Sequence, residues 1–223
     1  MKYLIILFLL PLNFFSQTKY YQFKRGKPIT EEKYNEVKSN LSEKGSLDET
    51  IVKIENRNDS IIYHTRFVIL PKDEGGQSFN PYGDTKKLIG TKFSIKNFRN
   101  KNGKFYSNNK LKGKPTLINF WFTRCPPCIE EIPILNNLKK TYGENVNLIA
   151  ITFDKKKTVD EFLKKTIINL EHITDSKTEI DKLKISAYPT TLILDKNGII
   201  RHVYGELSSE EDDLKMIIDD LKK

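Results

Sequence analysis

Trp121-Phe122-Thr123-Arg124-Cys125-Pro126-Pro127-Cys128 joins the end of an apolar run to the start of a helical pattern, and it holds the only two cysteines in 223 residues. Two residues between cysteines close too small a loop to stabilise a fold much by constraining the unfolded chain, since that benefit grows with loop length. The pair is better suited to chemistry. A cysteine at a helix start meets unpaired backbone N–H groups and the positive end of the helix dipole, and both favour the thiolate, the reactive form. Half of a zinc site and an inert pair are the bland alternatives. Zinc wants four ligands, and the sequence has no second Cys pair or Cys-His cluster to complete the set.

At this length one or two domains are expected, and 38% hydrophobic with 11% aromatic residues suffices for a core. The net charge is +9, yet the lysines are scattered among acidic residues. The longest basic run is Lys155-Lys156-Lys157, read as a solvated approach to a helix. Without a basic stripe interleaved with stacking aromatics, nucleic-acid binding is not expected.

The chain opens with Lys2, an apolar segment from Tyr3 to Phe15 broken by Pro11, and then Ser16-Gln17. This is the pattern of an export signal, and it is short of the ~20 residues of a membrane span. Phe14 fits the small-x-small cleavage rule poorly, so an uncleaved anchor stays open beside a cleaved signal. Residues 1–16 are therefore read as a signal peptide or anchor, and the protein as exported, soluble or tethered. An oxidising compartment oxidises a lone cysteine pair unless something reduces it, so function there includes a source or sink of electrons.

Thr30 can cap a helix carrying Tyr34, Val37 and Leu41, ended by Gly45. Thr50 to Glu55 and Ser60 to Leu70 read as a β-hairpin around Asn56-Arg57-Asn58-Asp59, with His64 as a structural or surface residue. Pro71 to Asp84 reads as a linker or exposed loop. Residues 17–87 form a small α+β extension of unknown role on this reading. From Leu88 strands and helices alternate, which argues for an α/β domain over 88–223. Thr116 to Phe122 suits a central buried strand with Asn119 as its polar exception. A helix from Pro126 to Tyr142 presents Ile129, Ile132, Leu135 and Leu138, kinked by Pro133 and ended by Gly143. Val146 to Phe153 is the next strand. The capping boxes Thr158 to Glu161, Ser176 to Glu179 and Ser208 to Glu211 predict three more helices. Thr190 to Leu194 and Ile199 to Tyr204 pair as a hairpin across Asp195-Lys196-Asn197-Gly198.

That order of elements, with a tryptophan-bearing strand entering Cys-x-x-Cys and Tyr188-Pro189-Thr190 starting a later strand, resembles the thioredoxin fold. The fold class is α/β, a central mixed sheet flanked by helices, with the N-terminal α+β extension. More closely, residues 88–223 resemble disulfide reductases of the TlpA and ResA type. The resemblance rests on Leu88-Ile89-Gly90 with Phe93, Gly113-Lys114-Pro115, Asn119-Phe120-Trp121, Cys125-Pro126-Pro127-Cys128, Glu131 with Pro133, and Pro189-Thr190-Thr191 with Asp195 to Gly198. Arg124 departs from it, since many members have tryptophan there.

The resemblance makes the compartment a periplasm and implies an exported protein-disulfide reductase with no cofactor beyond the redox-active Cys125–Cys128 disulfide and no metal. Cys125, at an exposed helix start, would attack a substrate disulfide and Cys128 would resolve the mixed disulfide. Glu131 would be the base near Cys128, or else only a favourable charge in a first turn. Pro189 would be cis, with Tyr188 offering backbone groups to an extended substrate. Trp121, Arg124 and Pro126 complete the expected substrate-facing set, a pure core role for Trp121 staying open. Arg124 favours a Cys125 thiolate by charge, whereas Pro126 and Pro127 remove two N–H donors and leave those of Cys128 and Ile129. The implied partners are disulfide-containing exported proteins, apocytochrome c among them, and an integral membrane thiol donor. A thiol peroxidase and a thioredoxin-like binding module or holdase are the competing readings. Thr123 lies only two residues before Cys125, which fits poorly with a Thr-x-x-Cys peroxidase setting.

Overall fold

The computed structural model describes residues 17–24, 26–70, 72, 75–100, 102–207 and 211–223. The chain divides into two compact units, Met1–Ser78 and Phe79–Lys223. In the first, β1 (Thr18–Gln22), β2 (Ile29–Thr30), α1 (Glu31–Ser42), β3 (Ser46–Asn56) and β4 (Ser60–Leu70) form a sheet ordered β2-β1-β4-β3 with one helix. Thr30 caps α1 as expected, accepting from Lys33 N at 3.3 Å. The hairpin also forms, but it is longer than the sequence indicates, and β1 and β2 are additions to the reading. β1 runs parallel to β4, a long-range pairing that local pattern does not show. Tyr34 of α1 stacks on Tyr21 at 3.9 Å and on Phe67 at 5.7 Å between ring centroids, joining helix to sheet through aromatic faces. His64 pairs with Glu55 at 3.3 Å. Gly45 lies beyond the helix end, and a Cβ there would stand 2.4 Å from the Leu70 carbonyl oxygen, so bare backbone is needed for the close approach to β4.

The second unit runs α2 (Gly83–Lys86), β5 (Thr116–Trp121), α3 (Pro126–Glu130), α4 (Ile132–Tyr142), β6 (Asn147–Thr152), α5 (Lys156–Leu163), β7 (Glu171–Ile173), α6 (Lys177–Lys182), β8 (Thr190–Leu194), β9 (Ile200–Tyr204) and α7 (Glu211–Leu221). Its sheet is ordered β7-β6-β5-β8-β9, with β5, β6 and β7 parallel and the β8–β9 hairpin antiparallel. Every residue of β5 is buried, which explains its uninterrupted apolar run. Ile118 and Phe120 enter a core with Ile149, Ile151, Leu192 and Leu194. Burying each such side chain stabilises by roughly 1.5–3 kcal/mol. The alternate residues, Asn119 and Trp121, point to the opposite face. The Tyr142 hydroxyl donates to the Lys215 carbonyl at 3.2 Å, tying α4 to α7.

Several expectations change. The 126–142 helix is two helices parted at Glu131, whose φ −88° and ψ −5° end α3; Pro133, without an N–H, forces the restart. Ile129, expected on the buried face, is 37% exposed because it belongs to α3 and not α4. Thr158 lies inside α5; the first helical amide, Lys156 N, is met instead by Asp175 Oδ2 at 3.0 Å. Ser176 sits at the N-cap of α6, but its hydroxyl donates to the Thr174 carbonyl. Ser208, with Ser209 and Glu210, lies outside the described residues, as does the signal segment; α7 is described from Glu211. Of the stretch read as a linker, Phe79 onward belongs to the second unit, including the start of α2.

Candidate active site

β5 ends at Trp121, and the chain turns through Phe122–Arg124 before entering α3. Cys125 N donates to the Phe122 carbonyl at 3.2 Å, closing that turn. Thr123 N donates to Asp154 Oδ2 at 2.7 Å. Asp154 follows β6, the parallel neighbour of β5, so both segments lie at the same carboxyl end of the sheet, where α/β folds gather their chemistry. Cys125 occupies the residue before α3 and is bonded to Cys128, with S–S 1.99 Å and Cα–Cα 5.2 Å.

Of the two amides expected to serve the Cys125 sulfur, only one does. Cys128 N donates to Cys125 Sγ at 3.3 Å, whereas Ile129 N donates to the Cys125 carbonyl at 3.1 Å and closes the helix. Pro126 and Pro127 contribute none. The expected exposure of Cys125 is not found in this oxidised state: both cysteines are 2% exposed. Within Trp121–Cys128, Arg124 and Pro126 are the exposed residues, and Ile129 and Glu130 are exposed just beyond it.

Glu131 is 0% exposed. Asn119 Nδ2 donates to its Oε1 at 2.6 Å and Leu207 N to its Oε2 at 3.1 Å. Asn119 also donates to Thr191 Oγ1 at 3.1 Å, linking β5, β8 and the α3–α4 junction. Burial pushes the Glu131 carboxyl up to about 8, with the Glu206 charge adding to the rise and the Asn119 and Leu207 hydrogen bonds opposing it. A carboxyl with that affinity can take and return a proton near neutrality. It lies three residues after Cys128, at helical spacing from it.

The Tyr188–Pro189 peptide bond is cis, as the resemblance implies. Pro189 immediately precedes β8, whose Thr190 is in register with Phe120 of β5, so it stands at the strand end from which the cysteine loop leaves. The Tyr188 ring meets Phe122 and Phe153 edge-on, each at 5.5 Å, and those two rings are 5.3 Å apart. All three are half-buried. Burial first, and then Asp181, pushes the Tyr188 phenol up to about 12. Trp121 is 2% exposed and turns inward onto Phe162 and His172, at 5.5 and 5.8 Å; in this state it occupies a core position.

The sequence reading brings together Cys125, Cys128, Glu131 and Asn119 but misses Asp154 and the amide of Leu207. Asp154 had a signal, since residues just beyond adjacent parallel strands meet. A backbone donor such as Leu207 N has none. Among the described residues no group of three or more His, Cys, Asp or Glu side chains could hold a metal ion.

Residues 89–203 match the AhpC/TSA family. The chain is 31% identical over 132 residues to thioredoxin-like protein YneN of Bacillus subtilis, covering 57% of this chain and 76% of that protein. It is 33% identical over 113 residues to thiol-disulfide oxidoreductase ResA of Bacillus cereus, covering 49% of this chain and 65% of ResA, a little under two thirds of that relative. The solution structure of a thiol:disulfide interchange protein from Bacteroides sp. superposes with a TM-score of 0.52 at 18% identity, covering 59% of this chain and 90% of that one, and shows the shared fold. The chain belongs to the AhpC/TSA family, and its site is that of a thioredoxin-fold thiol-disulfide oxidoreductase.

Proposed function

We propose that this thiol-disulfide oxidoreductase is exported and reduces disulfides of other exported proteins. The observation that carries the reading is the Cys125–Cys128 disulfide at a strand-to-helix junction, followed by a buried carboxyl that binds its proton near neutral pH. In the reduced enzyme the Cys125 thiolate attacks one sulfur of a substrate disulfide. A mixed disulfide forms and the first substrate thiolate departs, taking up a proton from solvent. Cys128 gives its proton to Glu131 and attacks Cys125 Sγ. The Cys125–Cys128 bond forms, the mixed disulfide breaks, and the second substrate thiolate leaves and is protonated. The substrate gains two electrons and two protons, and the enzyme is oxidised. Turnover then needs an external dithiol, and the resemblance points to an integral membrane thiol donor, with apocytochrome c as one substrate. Tyr188 and Pro189 border the strand end where an extended substrate segment would lie, and Arg124 and Pro126 are exposed beside the pair.

Export rests on Lys2, the apolar run to Phe15 and Ser16-Gln17. No helix among the described residues is long and apolar enough to cross a membrane. Two measurements in the native host test the reading together. Alkylation trapping should find the cysteine pair largely reduced in cells, in the exported fraction. Cys128→Ser should accumulate mixed disulfides with exported proteins. A largely oxidised pair that captures reduced proteins would reverse the direction, and retention in the cytoplasm would remove export from the reading.

A further inference from the structure

Tyr82, the residue before α2, is seated on Gly205, the residue after β9. A Cβ placed on Gly205 would lie 2.5 Å from both Tyr82 Cζ and Tyr82 Oη and 2.7 Å from Tyr82 Cε2; these are its nearest neighbours. Gly205 is outside the left-handed region, so the requirement for glycine is steric and comes from the tyrosine ring. Two residues further on, Leu207 is 0% exposed and gives its N–H to Glu131 Oε2. The three-residue segment Gly205–Leu207 thus carries an aromatic ring at one end and the buried carboxyl at the other.

We propose that Tyr82 is a positioning residue for Glu131: its ring, seated on Gly205, fixes the Gly205–Leu207 backbone so that the Leu207 amide stays on the carboxyl. The role extends the reading of Glu131 as the proton acceptor of Cys128. An N–H donated to a carboxylate favours the charged form, so the position of Leu207 sets how readily Glu131 releases its proton. At 3.1 Å the bond is already near the long end for N–H···O, and a displacement of a few tenths of an ångström weakens it. The titratable group that shifts Glu131 is Glu206, which lies within the segment, while the Tyr82 phenol is raised by burial and then by Glu131 and Glu206. From β5 the Glu131 carboxyl meets the neutral Asn119 amide, which also holds Thr191 of β8, and Cys128 of α3 lies three residues before Glu131 in the chain.

Carbon-13 NMR titration of the Glu131 carboxyl in the full chain reads the effect directly. Gly205→Ala is expected to raise the midpoint by about half a pH unit, a threefold weaker acid. Tyr82→Ala is itself expected to raise the midpoint, because the ring that fixes the segment is gone, and Gly205→Ala added to it is expected to move the midpoint no further; an unshifted Tyr82→Ala overturns the proposal. Tyr82→Phe keeps the ring and is expected to titrate as wild type. Equal shifts in both backgrounds, or none in either, overturn the proposal. Should Gly205→Ala alone not fold, folding restored in the double variant supports the seat, and failure of both overturns it. Glu131→Gln separates the two readings: a pH–rate limb unchanged in that variant removes Glu131 as base, while the NMR titration still decides the role of Tyr82.

Discussion

Asn119 Nδ2 stands 2.6 Å from Glu131 Oε1, both residues being almost wholly enclosed at 2% and 0% exposure. A neutral amide on the central strand thus holds a carboxyl that burial would otherwise keep protonated even more firmly. Asn119 donates through that group and takes up no proton near neutrality, so Glu131 is the titrating member of this pair. Asn119→Ala is expected to raise the Glu131 midpoint and to cost about 1–3 kcal/mol of stability, because a buried hydrogen bond to an ionisable group is lost. The pH profile of thiol–disulfide exchange and urea unfolding at fixed pH check both parts.

Glu131 gives the stability an unusual slope with pH. Its folded value of about 8 lies above the ordinary carboxyl value of 4.5, so the folded state binds more protons between them. The stabilisation is fully present below pH 4.5 and is lost as pH rises through about 8, in all on the order of a few kcal/mol. His172 acts in the opposite sense, since burial lowers its affinity for a proton and favours the folded state as pH rises through the ordinary imidazole range. The difference between wild type and Glu131→Gln isolates the carboxyl. Chemical denaturation from pH 5 to 8 should show wild type losing stability relative to Glu131→Gln, and parallel curves contradict the assignment.

Asp154 fixes the loop that delivers Cys125, through its bond to Thr123 N. Asp154→Ala is expected to slow attack by Cys125 about tenfold, equivalent to ~1.4 kcal/mol of misplacement. The global unfolding midpoint should move little, because the bond is at the rim of the fold. Stopped-flow exchange with a small aromatic disulfide measures the rate, and Asp154→Asn, which keeps an acceptor oxygen, should recover most of it.

Arg124 is exposed beside a sulfur that receives a single backbone N–H. Its charge favours the thiolate through solvent, and salt screens that effect. Arg124→Ala should therefore react more slowly than wild type at low ionic strength, and the gap should narrow at high salt. A salt-independent difference would assign the residue a packing role.

The parts of the fold legible in the sequence are those whose burial pattern is local. Thr116–Trp121 is apolar throughout because both faces of β5 are covered, and Cys-Pro-Pro-Cys marks the helix start by its prolines. β7 is three residues, Glu171-His172-Ile173, at the edge of the sheet, and carries no alternation long enough to read. The capping box at Thr158 fails because a more distant acceptor, Asp175, takes the helix start. At the site, side chains near the cysteines in sequence are legible, whereas Asp154 and Leu207 are brought in by topology. A backbone amide leaves no residue signature at all, and Leu207 supplies one of the bonds that hold the Glu131 carboxyl.

Insulin reduction by the pre-reduced protein is the most direct test of the assigned nucleophile. Wild type is expected to reduce insulin. Cys125→Ser should lose turnover, and Cys128→Ser should stall after forming a mixed disulfide through Cys125. Full activity in Cys125→Ser would contradict the account.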